Sequence, residues 1–205
     1  MPRDKQENHF LIKKAMQEEF LTNGYANSSM RNIANRCGLS ASALYRHYKN
    51  KDDMFHDLVY PLVQKINIWS KHHADTKYDL MENGKISKQS LFDESLIDLV
   101  ENVIYPQKEM YCLLFFRSQG SEYENYLDQL IESQVHEMMH VFDVLKDAGI
   151  HVDKPLKEEL HMLISAYMYA ILHPVIHLYT KDQMKHCLQT TKDFFLPGWM
   201  NLMGL

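Results

Sequence analysis

A chain of 205 residues and 24.3 kDa suits one large domain, or a small module joined to a larger one, and excludes a long solenoid. With 45% hydrophobic and 24% charged residues, and only 7 Gly and 6 Pro, it is too apolar for a disordered chain and too short of turn-formers for a collagen-like one, so we expect an all-α protein. The formal net charge of −5 is unevenly spread: residues 1–60 carry nine Lys/Arg against seven Asp/Glu, a net +2, whereas 61–205 carry thirteen against twenty, a net −7. Three scattered cysteines, Cys37, Cys112 and Cys187, form no C-x-x-C pattern and predict reduced thiols. The N-terminus is polar from Pro2 to Asn8, without the apolar core of a signal peptide, which predicts a cytoplasmic chain.

Apolar residues Leu11, Ile12, Ala15, Met16 and Phe20 recur at helical spacing, and Asn23-Gly24 then stops the run, so a first helix spans about Asn8 to Leu21. Ser28 is read as the N-cap of a second, two-turn helix with Met30, Ile33, Ala34 and Cys37 on one face, ended by Gly38. Ser40 caps a third, Ala41 to Tyr48, in which Leu44 and Tyr48 face inward. Two short helices around a tight glycine turn form a helix-turn-helix. A fourth helix starts near Lys51, with Asp52 and Asp53 complementing its dipole, and runs through Trp69; Pro61 inside it predicts a bend near Asp57 to Pro61, a natural lever between modules. His72 to Gly84 reads as polar and loop-containing. Further helices are expected at Ser90–Tyr105, Gln107–Gln119, Glu122–Ala148, Leu156–Tyr179 and from Lys181 to the end. Leu160 to Thr180 holds no formal charge over 21 residues, near membrane-spanning length, but its histidines, proline and tyrosines favour a helix buried by protein and no membrane partner.

Between Phe20 and Lys51 lie Arg31, Arg36, Arg46, Lys49 and Lys51 with no acidic residue, a local basic face that suits phosphate. Small side chains at Ser40, Ala41 and Ser42 let the start of the third helix approach DNA closely, the Ala41 methyl suiting a thymine methyl. Tyr45 falls on the outward face one turn from Ala41, Arg31 suits a guanine edge or a phosphate, and Arg46 and His47 flank the groove.

The same segment resembles the tetracycline-repressor (TetR) family of bacterial regulators through Phe20, Gly24-Tyr25, Ser28-Ser29, Ile33-Ala34, Gly38-Leu39-Ser40, Leu44-Tyr45, His47-Tyr48 and Lys51, in order and spacing. Ala41 and Ser42 stand where many members have Lys and Gly, and Tyr48 replaces the usual Phe. The resemblance implies a three-helix DNA-binding domain at 8–60 and a helical ligand-binding and dimerisation domain at 61–205. It implies phosphate contacts from Tyr45 and Lys51, and DNA contacts over Ser28, Ser29, Arg31, Ser40, Ala41, Ser42, Tyr45, Arg46, His47 and Lys51. It further implies a homodimer reading an inverted-repeat operator as a repressor released by a small molecule, with no enzymatic activity and no cofactor.

In the C-terminal part, Phe115, Tyr123, Met139, Phe142 and Tyr167 are ligand-pocket candidates, since aromatic and thioether side chains line adaptable apolar cavities. His136-Glu137-Met138-Met139-His140 reads H-E-x-x-H, the pattern of zinc hydrolases, but no third ligand motif follows it. The pairs His136/His140 and His173/His177 keep open a regulator that senses a metal or haem.

Overall fold

Phe20, Tyr25 and Phe55 meet in one cluster, with Phe55 edge-on to Phe20 at 5.2 Å and to Tyr25 at 5.0 Å between ring centroids, so two segments about thirty residues apart in sequence share an aromatic core. The computed structural model describes residues 5–82 and 95–204, and the described residues are helical, with no strand among them. They divide into two compact units, one built from 1–65 with 107–126 and the other from 66–106 with 127–205.

In the first unit, α1 (Lys5–Asn27) is broken at Gly24, whose φ of 72° and ψ of 171° lie outside the range of L-residues, as the Asn23-Gly24 stop predicts. Ile12, Ala15, Met16 and Phe20 are buried along one face, the 3–4 spacing seen in the sequence. Helix α2 (Met30–Arg36) buries Met30, Ile33 and Ala34. Its N-cap is Ser29, whose hydroxyl accepts from the Asn32 amide at 3.2 Å, in place of the expected Ser28. Helix α3 (Ala41–Leu44) is a single turn capped by Ser40 and followed by turns at 45–47, shorter than the expected Ala41 to Tyr48. Leu44 alone of its residues is fully buried, so one side chain anchors it against the core.

Helix α4 (Lys51–Glu82) runs unbroken across Pro61 and extends to Glu82, so of the stretch His72 to Gly84 expected to include a loop, residues 72–82 are helical and 83–84 lie outside the described residues. The first turn is capped by Asn50, whose side-chain Oδ1 accepts from the Asp53 amide at 2.7 Å. The sequence reading missed this extension because the largely polar sequence from His72 onward carries no sustained apolar period to see.

The second unit holds α5 (Ser95–Asp98), which opens into a π-helical turn at Leu99–Ile104 and a 3-10 turn at Tyr105–Gln107. The predicted helix from Ser90 is met only from Ser95, residues 90–94 lying outside the described ones. Helix α6 (Lys108–Phe116) belongs to the first unit, and α7 (Tyr126–Asp147), α8 (Lys157–Ile176) and α9 (Lys181–Leu202) complete the chain, each within a few residues of its expected range. Helix α8 is long and apolar enough to cross a membrane by length and composition, and it buries Leu160, Ile164, Met168, Ile171, Leu172 and Val175. It packs against α9 and the π-helical turn. Thr180 and Gln183 form a capping box at the start of α9.

Candidate nucleic-acid interface

The polar groups of the N-terminal unit sort into those bonded inside it and those left on its surface. Glu19 is 1% exposed, and its carboxylate accepts from the Asn32 side-chain amide at 2.9 Å and from Arg36 Nε at 2.8 Å. Burial pushes its pKa up, but the Asn32 and Arg36 hydrogen bonds outweigh it and hold the carboxyl below its ordinary value. Arg36 is therefore spent on binding α1 to α2, although sequence alone counts it with the basic face.

A second set of bonds latches the start of α4 to the end of α1. The Tyr25 hydroxyl donates to Asp52. Lys51 Nζ donates to the Tyr25 carbonyl at 2.8 Å and lies 4.1 Å from the centroid of the Tyr25 ring. Burial, then the bond to Asp52, lift the Tyr25 phenol to a pKa of about 12. Tyr48 donates to Asp57 at 2.9 Å, and burial with that bond likewise raises its pKa. Near Gly24, the Tyr25 amide donates to the Arg117 carbonyl at 2.9 Å and the Arg117 guanidinium donates to the Leu21 carbonyl, so the loop after α6 closes over this junction.

Of the sequence-selected residues, Arg31, Ser40, Ala41, Ser42, Tyr45, Arg46 and His47 are exposed, and they come together on the second and third helices and the turn that follows. Tyr45 is 53% exposed, a large aromatic that the core does not use. The Ser40 and Ser42 hydroxyls lie 3.0 Å apart, and Ser40 also accepts from the Ala43 amide, fixing the start of α3. Ser29 is half-buried, its hydroxyl engaged as the cap.

Two selected residues stand apart from this surface. Ser28 is buried and donates to the Gly24 carbonyl at 2.6 Å, so its side chain closes α1 where DNA contact was expected. Lys51 is half-buried with its ammonium on the Tyr25 carbonyl, so it reaches outward only by leaving that bond. The structuring role of Glu19 was missed altogether; its partners lie 13 and 17 residues away, beyond any local spacing rule.

The ligand-pocket candidates divide between the units. Phe115 is buried in the first, stacked on Tyr111 and Tyr126 with centroids at 5.8 and 6.2 Å. Tyr123, in the same unit, lies 2.7 Å from His56 Nδ1, which in turn lies 2.9 Å from Glu122. Phe142 is fully buried in the second, Met139 is half-buried, and Tyr167 packs on Phe195 at 5.1 Å. His136 and His140 are exposed on α7, and among the described residues no three His, Cys, Asp or Glu gather closely enough to hold a metal, so the H-E-x-x-H pattern lacks a third ligand of those types there.

Residues 11–58, the segment that builds this surface, match the model of the family described as bacterial regulatory proteins, tetR family. An HTH-type transcriptional regulator of Staphylococcus aureus strain USA300 is 31% identical over 91 residues, 44% of this chain and 48% of that protein. The chain thus spans about half the length of the curated relatives it matches. Among solved structures, MexZ, a repressor responsible for antibiotic resistance in Pseudomonas aeruginosa, has a TM-score of 0.53 at 14% identity, covering 91% of this chain and 96% of its own. A proposed fatty acid metabolism regulator of Clostridium perfringens gives a TM-score of 0.52 at 14% identity, over 95% and 98% of the two chains. These likenesses establish the all-helical fold across the length of the chain. Over residues 11–58, the chain is similar to the tetR family of bacterial regulatory proteins.

Proposed function

We propose that this chain is a cytoplasmic, ligand-responsive transcriptional repressor that binds an inverted-repeat operator as a homodimer and is released by a small molecule, without catalysis of its own. One observation carries the DNA-binding part. Arg31, Ser40, Ala41, Ser42, Tyr45, Arg46 and His47 are exposed together, while the neighbouring Glu19, Asn32, Arg36, Tyr25 and Tyr48 are bonded inside the unit. A single-turn helix with small side chains at its start fits a major groove, where Ala41 meets a thymine methyl and Arg31 or Arg46 a guanine edge or phosphate. MexZ, a repressor with a similar fold, supports the direction of control. A twofold dimer places two such helices about one DNA turn apart, which dictates an inverted repeat.

The effector acts by binding better to the conformation in which the two reading helices miss successive grooves, and so shifts the population off DNA. The domains at 8–60 and 61–205, and the pocket residues Phe115, Tyr123, Met139, Phe142 and Tyr167, are part of this reading. Selection of bound sequences from a random duplex library tests it: enrichment of an inverted repeat bound by two chains is expected, and recovery of no preferred sequence would overturn it. Glu137→Gln separates this reading from a zinc hydrolase, since a repressor keeps its operator affinity in that variant.

A further inference from the structure

The sequence holds two H-x-x-x-H pairs that spacing alone cannot rank, and the structure separates them. His136 and His140 are both exposed on α7. His173 and His177, on the last turn of α8, have ring centroids 4.1 Å apart with planes tilted by 39°. Both are exposed, and neither imidazole takes part in a hydrogen bond or ion pair among the described residues; the pair is hydrogen-bonded only through the backbone, the His177 amide donating to the His173 carbonyl at 3.1 Å. Two adjacent imidazoles with unspent nitrogens on one helix face form a bidentate donor set.

The chain beyond them is bent back onto this pair. His177 ends the helix, and Leu178 follows at φ 51°, the one non-glycine residue with positive φ among those described. A leucine held in the left-handed region costs free energy that the surroundings must offset, and such residues gather at functional positions. Here the turn carries Tyr179 back, its amide donating to the Pro174 carbonyl at 2.9 Å, until its ring lies 5.7 Å from each imidazole. The Tyr179 carbonyl in turn accepts from the Tyr105 hydroxyl at 2.8 Å, which ties the turn to the segment after the π-helical turn. The site also sits at the C-terminal, negative end of the α8 dipole, where a cation is favoured.

We infer that His173 and His177 bind a late first-row divalent metal ion, Ni2+, Cu2+ or Zn2+, the class that favours imidazole nitrogen. Two protein ligands leave the other positions to water, so the site is open and exchanges its ion. Binding there links the end of α8 to the turn that leads into α9.

The test uses the full chain, purified without a histidine tag and freed of metal by a chelator, titrated calorimetrically with zinc chloride. One ion per chain is expected, with affinity reduced at least tenfold by His173→Gln or His177→Gln and unchanged by the double variant His136→Gln, His140→Gln. Equal zinc affinity in the wild type and His173→Gln, or loss in the His136/His140 double variant, would overturn the assignment. The electron paramagnetic resonance spectrum of the wild type with one equivalent of Cu2+ checks the donors without any variant. Coupling to two imidazole nitrogens supports the site, and a spectrum without nitrogen coupling rejects it.

Discussion

Glu19 and Arg36 form a 2.8 Å ion pair in which the carboxylate is 1% exposed and the guanidinium 37% exposed, so one partner is desolvated while the other keeps contact with water. Removing the charge of the buried partner strands Arg36 and weakens the bond from Asn32. Glu19→Gln is therefore expected to destabilise the N-terminal unit by about 2 kcal/mol, within the range for breaking charged hydrogen bonds at a partly buried site. The pH dependence has a definite sign. Because the folded carboxyl is held below its ordinary value, its contribution is present above the unfolded pKa near about 4.3 and is lost as pH falls through the lower folded value. Urea midpoints of wild type and Glu19→Gln should thus converge on acidification below about pH 4.3, and a constant gap down to pH 2 would refute the pairing as the source.

The Tyr25–Asp52 bond predicts the opposite end of the pH scale. A phenol raised to about 12 contributes stability that is complete below its unfolded value near about 10 and disappears as pH rises through about 12. Between those limits one extra proton is held by the folded state, so stability should fall by up to about 1.4 kcal/mol per pH unit from this group. Tyr25→Phe should remove that increment from the alkaline slope measured by circular dichroism. An unaltered slope would show that other tyrosines dominate the transition.

How far this arrangement was legible differs between elements for physical reasons. Helix α1 and its break at Gly24 were visible because a buried face repeats at 3–4 spacing and only glycine suits the bend. The exposed members of the interface, Tyr45 and Arg46 among them, were legible because a basic, small-residue helix start has a direct chemical reading. Ser28 misled because adjacent serines cap equally well in sequence, and only the packing of Ser28 against Glu19 and Gly24 leaves Ser29 as the cap. Glu19 and Arg36 were opaque because their meeting depends on how α1 and α2 cross, which no local pattern encodes.

Sorting the arginines by partner gives a prediction about DNA. Arg46 and Arg31 are exposed with no ion pair among the described residues, whereas Arg36 is paired with Glu19. Arg46→Ala should weaken binding on any duplex and lower the dependence of log K on log salt by about 0.9, the release expected for one phosphate contact. Arg31→Ala should weaken the selected operator by about 1–3 kcal/mol and random DNA less, if it reads a base edge. Arg36→Ala should change the unfolding midpoint while leaving the salt slope as in the wild type. Fluorescence anisotropy across a salt series measures all three, and an Arg36→Ala slope reduced like that of Arg46→Ala would place Arg36 on the DNA after all.

Glycine substitutions separate strain from crowding at the joints of the same unit. A Cβ at Gly24 would lie 3.6 Å from the Arg117 carbonyl oxygen, an ordinary contact, and a Cβ at Gly38 would meet nothing within 4 Å. Space therefore penalises neither, and the backbone decides. Gly24 combines φ 72° with ψ 171°, a region that residues with a Cβ scarcely enter. Gly38, at φ 69°, ends α2 with the Leu39 amide on the Ala34 carbonyl at 2.9 Å, the left-handed helix stop that asparagine also tolerates. Gly38→Asn should then cost under about 1 kcal/mol, and Gly24→Asn about 2–3 kcal/mol, because the αL well that suits asparagine does not extend to the Gly24 conformation. Thermal unfolding of the two variants ranks them directly. Equal losses would mean that the break in α1 relaxes to an ordinary turn, and with it the bond from the Tyr25 amide to Arg117 should be lost from amide hydrogen-exchange protection.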